Sequence, residues 1–418
     1  MAIALKLVNA IEWQNMATAE LPKLLVLVSY LPGSRHGGGV VLDEILQRYP
    51  KDGYVCFSIN PSDQRERPAE LPESLRGIPC VTGALVPPLQ WRGYRFYLPL
   101  LRALAFHALA PFRIRQAIAF GRKHRVEMVW AELQGDAVVI AQKVADGLGV
   151  PLVGTIWDDP EGWLADGGYD RLSRQLIWKR FQEALRRARH LSTAGEAMQQ
   201  AYEELYGVKS VILRHGFEGS LLPLAPTKSQ KDILIGFVGN VYGHEAFLAF
   251  FSALARLNSE GQVPPIKLLA FGGGRLLQVP GVEIETMGWQ PAEVMLRQLA
   301  QTDFCYLPYW FDPSKRRHAE LSFPNKFETY LAAGRPVLFH GPEYSGIAAS
   351  IKQYRVGLCV HSLKLEEITS TVERLILDQP LRESLSQAAV AAFQAEFNAG
   401  VMMKNFLSLI QDRPNEDR

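Results

Sequence analysis

The sequence predicts an α/β protein of the GT-B type of architecture, in which two doubly wound, Rossmann-like domains face a central cleft. Its 418 residues are more than one ordinary hydrophobic core contains. Short apolar runs that end in glycine or turn residues alternate with helical patterns along most of the chain. Such strands, apolar throughout and separated by helices, are typical of a parallel sheet covered on both faces. The alternation is interrupted once, near the middle of the chain, which predicts two domains.

The first half begins with the apolar run LLVLVSY, residues 24–30, followed by the turn-prone PGSRHGGG and the helical pattern VVLDEILQRY. Three more runs predict strands at 54–59, 127–133 and 151–157. The segments RHLSTAG and KSVILRHG are expected to contain the last strands of this half. We therefore expect an N-terminal domain over residues 1–218.

The second half follows the polar, proline-containing stretch 219–230, which we interpret as a linker. Strands are predicted in DILIGFVGN, IKLLAFGGG, VEIETMG, DFCYLPY, PVLFH and VGLCV. We expect a C-terminal domain over 231–410, a final helix that packs back on the first domain, and a polar tail at 411–418. Open parallel sheets bind ligands at the carboxyl ends of their strands, so the cleft is the expected active site.

The charges are unevenly distributed. The formal net charge is only +2, yet no acidic residue lies between Glu73 and Glu127, whereas nine basic residues fall between positions 76 and 125. Aromatic and apolar residues interleave with these arginines. Such a surface suits an anionic membrane or an acidic or lipid-linked ligand, and ordinary amphipathic helices with extended arginine side chains explain the pattern equally. No nucleic-acid motif accompanies the charge, which argues against nucleic-acid binding.

The four cysteines lack the spacing of a zinc site or a disulfide framework; they are Cys56, Cys80, Cys305 and Cys359. We expect scattered, reduced thiols. The N-terminal stretch lacks the pattern of a secretory signal, and no run of 18 apolar residues exists. A cytoplasmic protein is expected, with peripheral contact to the inner face of a membrane if the basic stretch serves that purpose.

The stretch ELSFPNKFETYLAAGRPVL, residues 320–338, carries the clearest chemical pattern. It predicts a helix from about Pro324 to Ala333, because proline suits a first turn and the following glycine ends a helix. Ser322 precedes that helix and Lys326 lies in its first turn. A helix N-terminus with a nearby ammonium group is an anion site, for which phosphate is the natural ligand.

Two glutamates flank this predicted phosphate site. Glu328 lies about one turn into the helix and is expected to accept hydrogen bonds from ribose hydroxyls. Glu320, expected in the loop before the helix, would reach the opposite side. Two carboxylates that accept hydrogen bonds from hydroxyl groups, one on each side of a phosphate site, fit a nucleotide sugar. A glutamate pair at this spacing also occurs by chance in many chains.

The spacing Glu320-x7-Glu328 resembles the E-x7-E signature of retaining glycosyltransferases with the GT-B fold, in particular those of family four. Other segments resemble that family in the same order over roughly residues 23–400. These are SYLPGSRHGGG, RHLSTAGEAMQQAYEELYG, VILRHGFE, FVGN, FGGGR and TMGWQPAEV. The resemblance implies transfer of a sugar from a nucleotide diphosphate sugar, with retention at the anomeric carbon and without an essential metal or cofactor.

The resemblance also implies which residues bind the donor. They are Gly239, Asn240, Arg275, Gly288, Trp289, Ser322, Asn325 and Glu328, with Glu320 and Lys326 at the reacting phosphate. One departure concerns the loop after FVG, where many members carry an arginine and a lysine. This chain has Asn240 and His244 there, so Lys326, Arg275 and Arg316 or Arg317 are the candidates to meet the phosphate charge.

The acceptor is expected to bind to the N-terminal domain. His36, Gly37, Gly38 and Gly39 follow a strand and open a helix, so their backbone either approaches a ligand closely or forms a merely flexible turn. Asp158, in WDDP, is our catalytic candidate near the acceptor, and capping of the next turn is its alternative. Asp158 and Asp159 are adjacent, which does not predict a metal site. His215 is a further candidate for the cleft.

Three functions remain compatible with the sequence. The first is a retaining glycosyltransferase. The second is a nucleotide-sugar 2-epimerase, which would consume the donor without an acceptor. The third is a glycosyltransferase-like binding protein without activity, which the departures after FVG favour and the glutamate pair opposes.

Overall fold

In the computed structural model, residues 21–33, 37–59, 72–83, 98–166, 169–217, 232–272 and 279–411 are described, except for the side chains of 98–103, 105, 165 and 166. They form two compact units. The first unit holds the described residues up to His215 and from Met402 onward, and the second runs from Gly216 to Val401. The predicted linker at 219–230 lies outside the described residues.

The first unit is built on a seven-stranded parallel sheet in the order β3-β2-β1-β4-β5-β6-β7. Its strands are β1 Leu24–Val28, β2 Tyr54–Ser58, β3 Cys80–Thr82, β4 Met128–Glu132, β5 Leu152–Ile156, β6 His190–Thr193 and β7 Val211–Ile212. The residues of β1, β2, β4 and β5 are all buried. Burial of both faces explains why these strands read as continuous apolar runs in the sequence.

The helices of the first unit connect these strands. They are α1 Gly37–Arg48, α2 Leu98–His124, α3 Ala137–Leu148, α4 Pro160–Asp166, α5 Arg171–Arg187 and α6 Glu196–Tyr206. The last helix of the chain, α14 Ala399–Ile410, begins in the second unit and ends in the first. Its Phe406 packs on Trp130 of β4, with ring centroids 4.5 Å apart. None of the described helices has the length and hydropathy needed to cross a membrane.

The second unit contains a six-stranded parallel sheet in the order β10-β9-β8-β11-β12-β13. Its strands are β8 Ile233–Val238, β9 Ile266–Phe271, β10 Glu283–Gly288, β11 Phe304–Pro308, β12 Val337–His340 and β13 Gly357–Val360. Its helices are α7 His244–Glu260, α8 Ala292–Leu299, α9 Arg316–Leu321, α10 Asn325–Ala332, α11 Gly346–Tyr354, α12 Leu365–Leu377 and α13 Gln379–Glu396.

The predicted α/β fold with two parallel sheets is confirmed. Several elements of the first unit were not assigned from the sequence, among them β3, α4 and α5. The short strand β3 has only three residues, all half-buried, and therefore lacks an apolar run. The basic stretch, for which amphipathic helices were one of the two interpretations, contains the 27-residue helix α2, with Pro111 inside it.

The four cysteines are free thiols, of which Cys56 and Cys305 are buried.

Tyr330 of α10 ties that helix to the sheet of the second unit. Its buried hydroxyl accepts a hydrogen bond from the backbone N–H of Val238 at 3.1 Å and donates one to the carbonyl of Tyr306 at 2.9 Å. Val238 ends β8 and Tyr306 lies in β11, so one side chain fixes the helix to two neighbouring strands. Burial raises the pKa of the Tyr330 hydroxyl well above its usual value, which keeps it a donor.

We expect Tyr330→Phe to lower the free energy of unfolding by about 2 kcal/mol, because it leaves the buried N–H of Val238 without its acceptor. Urea unfolding of the wild type and the variant measures the difference. Tyr354→Phe is the matched control, since that hydroxyl donates to Glu396 on the exposed surface at 2.5 Å and its loss should cost less than about 1 kcal/mol. Equal losses in the two variants would contradict this account.

Candidate functional site

The N-terminus of α10 carries a buried lysine. Lys326 is the second residue of this helix and is only 5% exposed. Its Nζ donates a hydrogen bond to the carbonyl of Asn240, and lies 4.0 Å from the ring centroid of Tyr242 and 4.7 Å from that of Phe237. It has no carboxylate partner among the described residues. The site therefore combines an ammonium group, two aromatic faces and the positive end of a helix.

Burial lowers the pKa of Lys326 from its ordinary 10.5 to about 7. The cause is desolvation alone, since the ammonium loses water and gains no opposite charge. The helix dipole acts in the same direction, because a cation at a helix N-terminus is repelled by the exposed N–H groups. A lysine in this setting is energetically unfavourable unless an anion joins it.

Glycines let the neighbouring loops approach this lysine and one another. Gly239, which follows β8, has φ of +74°, and a Cβ added there would lie 3.6 Å from Cε of Lys326. Gly272, which follows β9, has φ of +128° and would place a Cβ 3.1 Å from Cα of Gly239. The N–H of Gly272 donates to the carbonyl of Gly288 at 2.9 Å. The carboxyl ends of β8, β9 and β10 are thus joined beside Lys326.

The other predicted donor residues take distinct places. Asn240 is exposed next to the lysine, and Asn325 is the first residue of α10, one position after the predicted start at Pro324. Trp289 is 54% exposed directly after Gly288. Ser322 is buried, and its hydroxyl lies 2.9 Å from that of Tyr309.

Glu328 and Glu320, the two glutamates of the predicted nucleotide-sugar site, differ in their surroundings. Glu328 is 1% exposed in the first turn of α10. Glu320 was expected in a loop, which is wrong, because it belongs to the short helix α9. Its carboxylate pairs with Arg316 at 2.8 Å, one turn earlier in the same helix. Arg316 also lies over the ring of Tyr344, 4.3 Å from its centroid. The i, i+4 spacing of arginine and glutamate was the signal for a helix that our reading missed.

An aromatic group that sequence reasoning missed borders the lysine. Tyr242 stacks on Trp310, with centroids 5.1 Å apart and planes at 26°. Glu245 holds the loop of Trp310 in place, because its carboxylate accepts from the N–H of Phe311 at 2.8 Å. The loop after FVG thus brings Tyr242 to the lysine, and His244 of the same loop is exposed at the start of α7. The contact of Tyr242 with Trp310 is visible only in the three-dimensional structure, because the two residues are far apart in the sequence.

In the first unit, the predicted glycines do open a helix, since α1 begins at Gly37. Gly38 and Gly39 follow in its first turn. Asp158 is half-buried after β5, and its carboxylate accepts from the amide of Gln134 at 3.4 Å. The capping role that was the alternative for Asp158 falls to Asp159, which accepts from the N–H of Glu161 at 3.0 Å and from the hydroxyl of Tyr202 at 2.9 Å.

Two residues at the same edge of this sheet were missed. Glu132, the last residue of β4, is 3% exposed and accepts from the N–H of Ser29 at 3.2 Å. Trp157, which follows β5, is 9% exposed. A charged residue at the end of the apolar run MVWAEL was the available signal for Glu132.

Three further residues were predicted to lie at the functional site, namely His36, Arg275 and His215. His36 and Arg275 lie outside the described residues. His215 is buried, and its pKa is lowered to about 4 by that burial and by the charge of Arg48, so it is neutral at physiological pH.

The first unit resembles a known domain family, and the whole fold resembles solved structures. Residues 36–214 match the family model of the Glycosyl transferase 4-like domain, which covers most of the first unit. Solved structures that resemble more than nine-tenths of the chain include two described as glycosyltransferases, from Rickettsia africae and the protein WaaG, and at identities of 12% to 14% the likeness establishes the fold. No curated protein sequence matched the chain.

Three of these solved structures resemble the chain over most of its length. The Anabaena protein HepE in complex with UDP is 14% identical, with a TM-score of 0.62, over 92% of this chain and 98% of its own. Sucrose-phosphate synthase from Thermosynechococcus elongatus is 14% identical, with a TM-score of 0.61, over 93% and 98%. The α,α-trehalose 6-phosphate synthase from Burkholderia multivorans is 13% identical, with a TM-score of 0.61, over 93% and 96%. The two-domain fold expected from the sequence is thus confirmed.

We expect Lys326→Met to raise the free energy of unfolding by about 2 to 4 kcal/mol near pH 6, because it removes a buried cation that has no counter-charge. The wild type gains stability as the pH rises from about 7 to 10.5, where only the unfolded lysine stays protonated. The advantage of the variant should therefore shrink toward pH 10. Urea unfolding at the two pH values measures this. An advantage that is absent near pH 6, or independent of pH, would contradict the burial of an unpaired ammonium.

Proposed function

We propose that this protein is a glycosyltransferase that moves a sugar from a nucleotide diphosphate sugar to a hydroxyl acceptor, with retention of the anomeric configuration. The observation that carries the proposal is the surroundings of Lys326, a buried ammonium group at the positive end of α10 without a carboxylate partner among the described residues. An anion with two negative charges, such as a diphosphate, is the ligand that this arrangement would stabilise.

Binding of an anion would offset the cost of burying the charged lysine. Each pKa unit corresponds to about 1.4 kcal/mol, so holding Lys326 charged in its buried position costs several kcal/mol. A bound diphosphate would return that energy, since an opposite charge within a few ångströms favours the ammonium. Binding should therefore raise the pKa of Lys326 and take up a proton above about pH 7. The protonation state of Lys326 would therefore change when the anion binds to it.

The same charge would act in catalysis. As the bond between the anomeric carbon and the phosphate oxygen breaks, negative charge grows on the departing diphosphate. The ammonium of Lys326 and the N–H groups of α10 stabilise that charge more than they stabilise the intact donor. In a retaining reaction of this kind, the acceptor hydroxyl approaches from the face that the phosphate leaves, and the phosphate itself takes the proton. No separate catalytic base is then required.

The donor's other parts have candidate partners nearby. Glu328 is proposed to accept hydrogen bonds from the ribose hydroxyls, and Trp289 and Gly288 to border the base. Ser322, Asn325, Gly239 and Asn240 line the diphosphate. Glu320, although paired with Arg316, is exposed enough to turn toward the sugar. UDP is the first nucleotide to test, because HepE is described in complex with UDP.

The two alternative functions differ from a transferase in which substrates the protein would consume. A nucleotide-sugar 2-epimerase would convert the donor without an acceptor. A binding protein would hold the nucleotide without turnover, and Asn240 and His244, where many members of the resembling family carry an arginine and a lysine, are the observation in its favour. Acceptor-dependent release of nucleotide from the donor is expected for the transferase alone.

Peripheral contact with a membrane is proposed for α2, where Leu104 and Phe112 are more than half exposed beside Arg115. Apolar side chains with basic neighbours suit the interface of an anionic bilayer. Co-sedimentation with phosphatidylglycerol vesicles should be reduced at least fivefold by Phe112→Asp. Equal binding to neutral phosphatidylcholine vesicles, or unchanged binding of the Phe112→Asp variant, would show that this surface does not bind an anionic membrane.

We expect UDP to bind and Glu328→Gln to weaken binding at least tenfold, or about 1.4 kcal/mol, because the amide is a poorer acceptor for ribose hydroxyls. Calorimetric titration with UDP, GDP and ADP measures this. Glu367→Gln on the exposed surface of α12 is the matched control and should bind as the wild type does. Absence of binding by all three nucleotides would remove the basis of the proposal.

We expect Lys326→Ala to lower turnover by roughly 10²- to 10³-fold, the loss typical of one charge-stabilising donor. Steady-state release of nucleotide, with the preferred donor and an acceptor, is the measurement. A loss of less than about threefold would show that Lys326 does not stabilise the departing diphosphate.

A further inference from the structure

Two aromatic rings lie against the ammonium group of Lys326. Its Nζ is 4.0 Å from the ring centroid of Tyr242 and 4.7 Å from that of Phe237. Both distances suit a cation–π interaction, in which the electron-rich face of a ring attracts a cation. The attraction requires a protonated amine, so the rings favour the charged form of the lysine. They thereby oppose its desolvation, which lowers the pKa of Lys326 to about 7.

The two rings are held in different ways. Phe237 belongs to β8 and is fully buried, with its ring centroid 5.8 Å from that of Phe247 in the core. Tyr242 lies in the loop after β8 and is half-buried. The closer of the two rings is therefore the one that a loop provides, and its position depends on contacts with other loops.

The loop after β11 positions Tyr242. The ring of Tyr242 stacks on Trp310, with centroids 5.1 Å apart and planes at 26°, and meets the edge of Tyr309 at 6.2 Å. Glu245, near the start of α7, accepts from the N–H of Phe311 at 2.8 Å and so fixes the loop that carries Trp310. These contacts restrict the ring to its place beside the lysine.

Acidic, imidazole and phenol groups on the neighbouring elements do not take over this role. They belong to the loop after β8 and to α7, α9 and α10, and are His244, Glu245, His318, Glu320, Glu328 and Tyr330. The basic residues of α9 include Arg316, which pairs with Glu320 at 2.8 Å. Among the residues that the structure describes, no carboxylate forms an ion pair with Nζ of Lys326, and burial alone accounts for the lowered pKa. The two rings and the carbonyl of Asn240 are therefore the contacts that favour the ammonium.

We propose that Tyr242 is a positioning residue for the diphosphate of the donor, because its ring keeps the ammonium of Lys326 charged and in place before the anion binds. This inference rests on the proposed function and names the residue that makes the site usable at higher pH. A lysine that has lost its proton no longer attracts an anion. Without the attraction of the ring, Lys326 would lose its proton, and the site its affinity for a diphosphate, at a lower pH.

The test weakens the attraction of the ring while its shape stays nearly constant. The attraction arises from the ring quadrupole, which fluorine atoms on the ring diminish stepwise. Tyr242→Phe is the reference protein, and phenylalanine with one, two or three fluorine atoms on its ring is then introduced at position 242 of the full chain. Truncation to leucine is avoided, because water that enters the space would itself raise the pKa of Lys326.

The first measurement is the pKa of Lys326 in the free protein, from the pH dependence of its ¹³Cε resonance. We expect this pKa to fall with each fluorine atom and by about one unit over the series, since a desolvated cation–π contact has that strength. Phe251 is the matched control, because it lies in the core of the same unit with its ring 4.5 Å from that of Phe247. The same series at Phe251 should leave the pKa of Lys326 unchanged.

The second measurement is the affinity for UDP, by calorimetry at two pH values. At about pH 8.5 the lysine must gain a proton when the diphosphate binds, so a pKa lower by one unit should weaken binding about tenfold. At about pH 5.5 most of the lysine is already protonated, and the proteins of the series should agree within about twofold. Normal binding at the lower pH also shows that the variants are folded.

A pKa that does not depend on the fluorine atoms would overturn the proposal, as would an equal fall in the series at Phe251. An affinity for UDP that is lowered equally at both pH values would also contradict it, because the ring would then act without changing the charge of the lysine. The pKa series needs no ligand, so it separates this inference from the proposed function. Normal UDP binding with an unmoved pKa would reject the inference alone. Absence of UDP binding by the wild type at both pH values would reject the function, and with it the role of Tyr242 toward a diphosphate.

Discussion

The position of one ammonium group constrains much of the second unit. Lys326 is buried at the end of a helix where a positive charge is repelled, and desolvation lowers its pKa to about 7. Its direct stabilising contacts are the carbonyl of Asn240 and the faces of Phe237 and Tyr242. Proteins retain such costly arrangements at functional sites, where a ligand supplies the missing charge.

The fold provides what this arrangement requires. Parallel strands bring the loops after β8, β9, β10 and β11 to one edge, and glycines at 239 and 272 let those loops pack against each other. Gly243 is equally constrained, since a Cβ there would lie 1.9 Å from the carbonyl of Tyr309. Tyr330 holds α10 on the sheet from below the lysine. The ammonium is therefore fixed by backbone geometry, which suits a group that must act without reorganisation.

The sequence predicted the strands and the ends of α10 well, because these depend on residues that are close together in the chain. Buried parallel strands are apolar at every position, so runs such as LLVLV and FCYLP were recognisable, and Pro324 and Gly334 marked the ends of α10 to within one residue. Glu320 was misplaced because a six-residue helix has too few positions to show an apolar period, and the spacing of Arg316 and Glu320 was its one local signal. Tyr242, Glu132 and Trp157 were missed because their roles depend on partners far away in the sequence. No local pattern distinguishes a tyrosine that stacks over an ammonium from one in a core.

The most direct test is the protonation of Lys326 itself. The Cε resonance of this lysine, assigned with Lys326→Met, can be followed by ¹³C NMR through a pH titration without and with saturating UDP. The account predicts a pKa near 7 in the free protein, and a rise of at least one unit when the diphosphate is bound, since about 1.4 kcal/mol of attraction gives that shift. A pKa near 10.5 in the free protein, or one that UDP leaves unchanged, would contradict it.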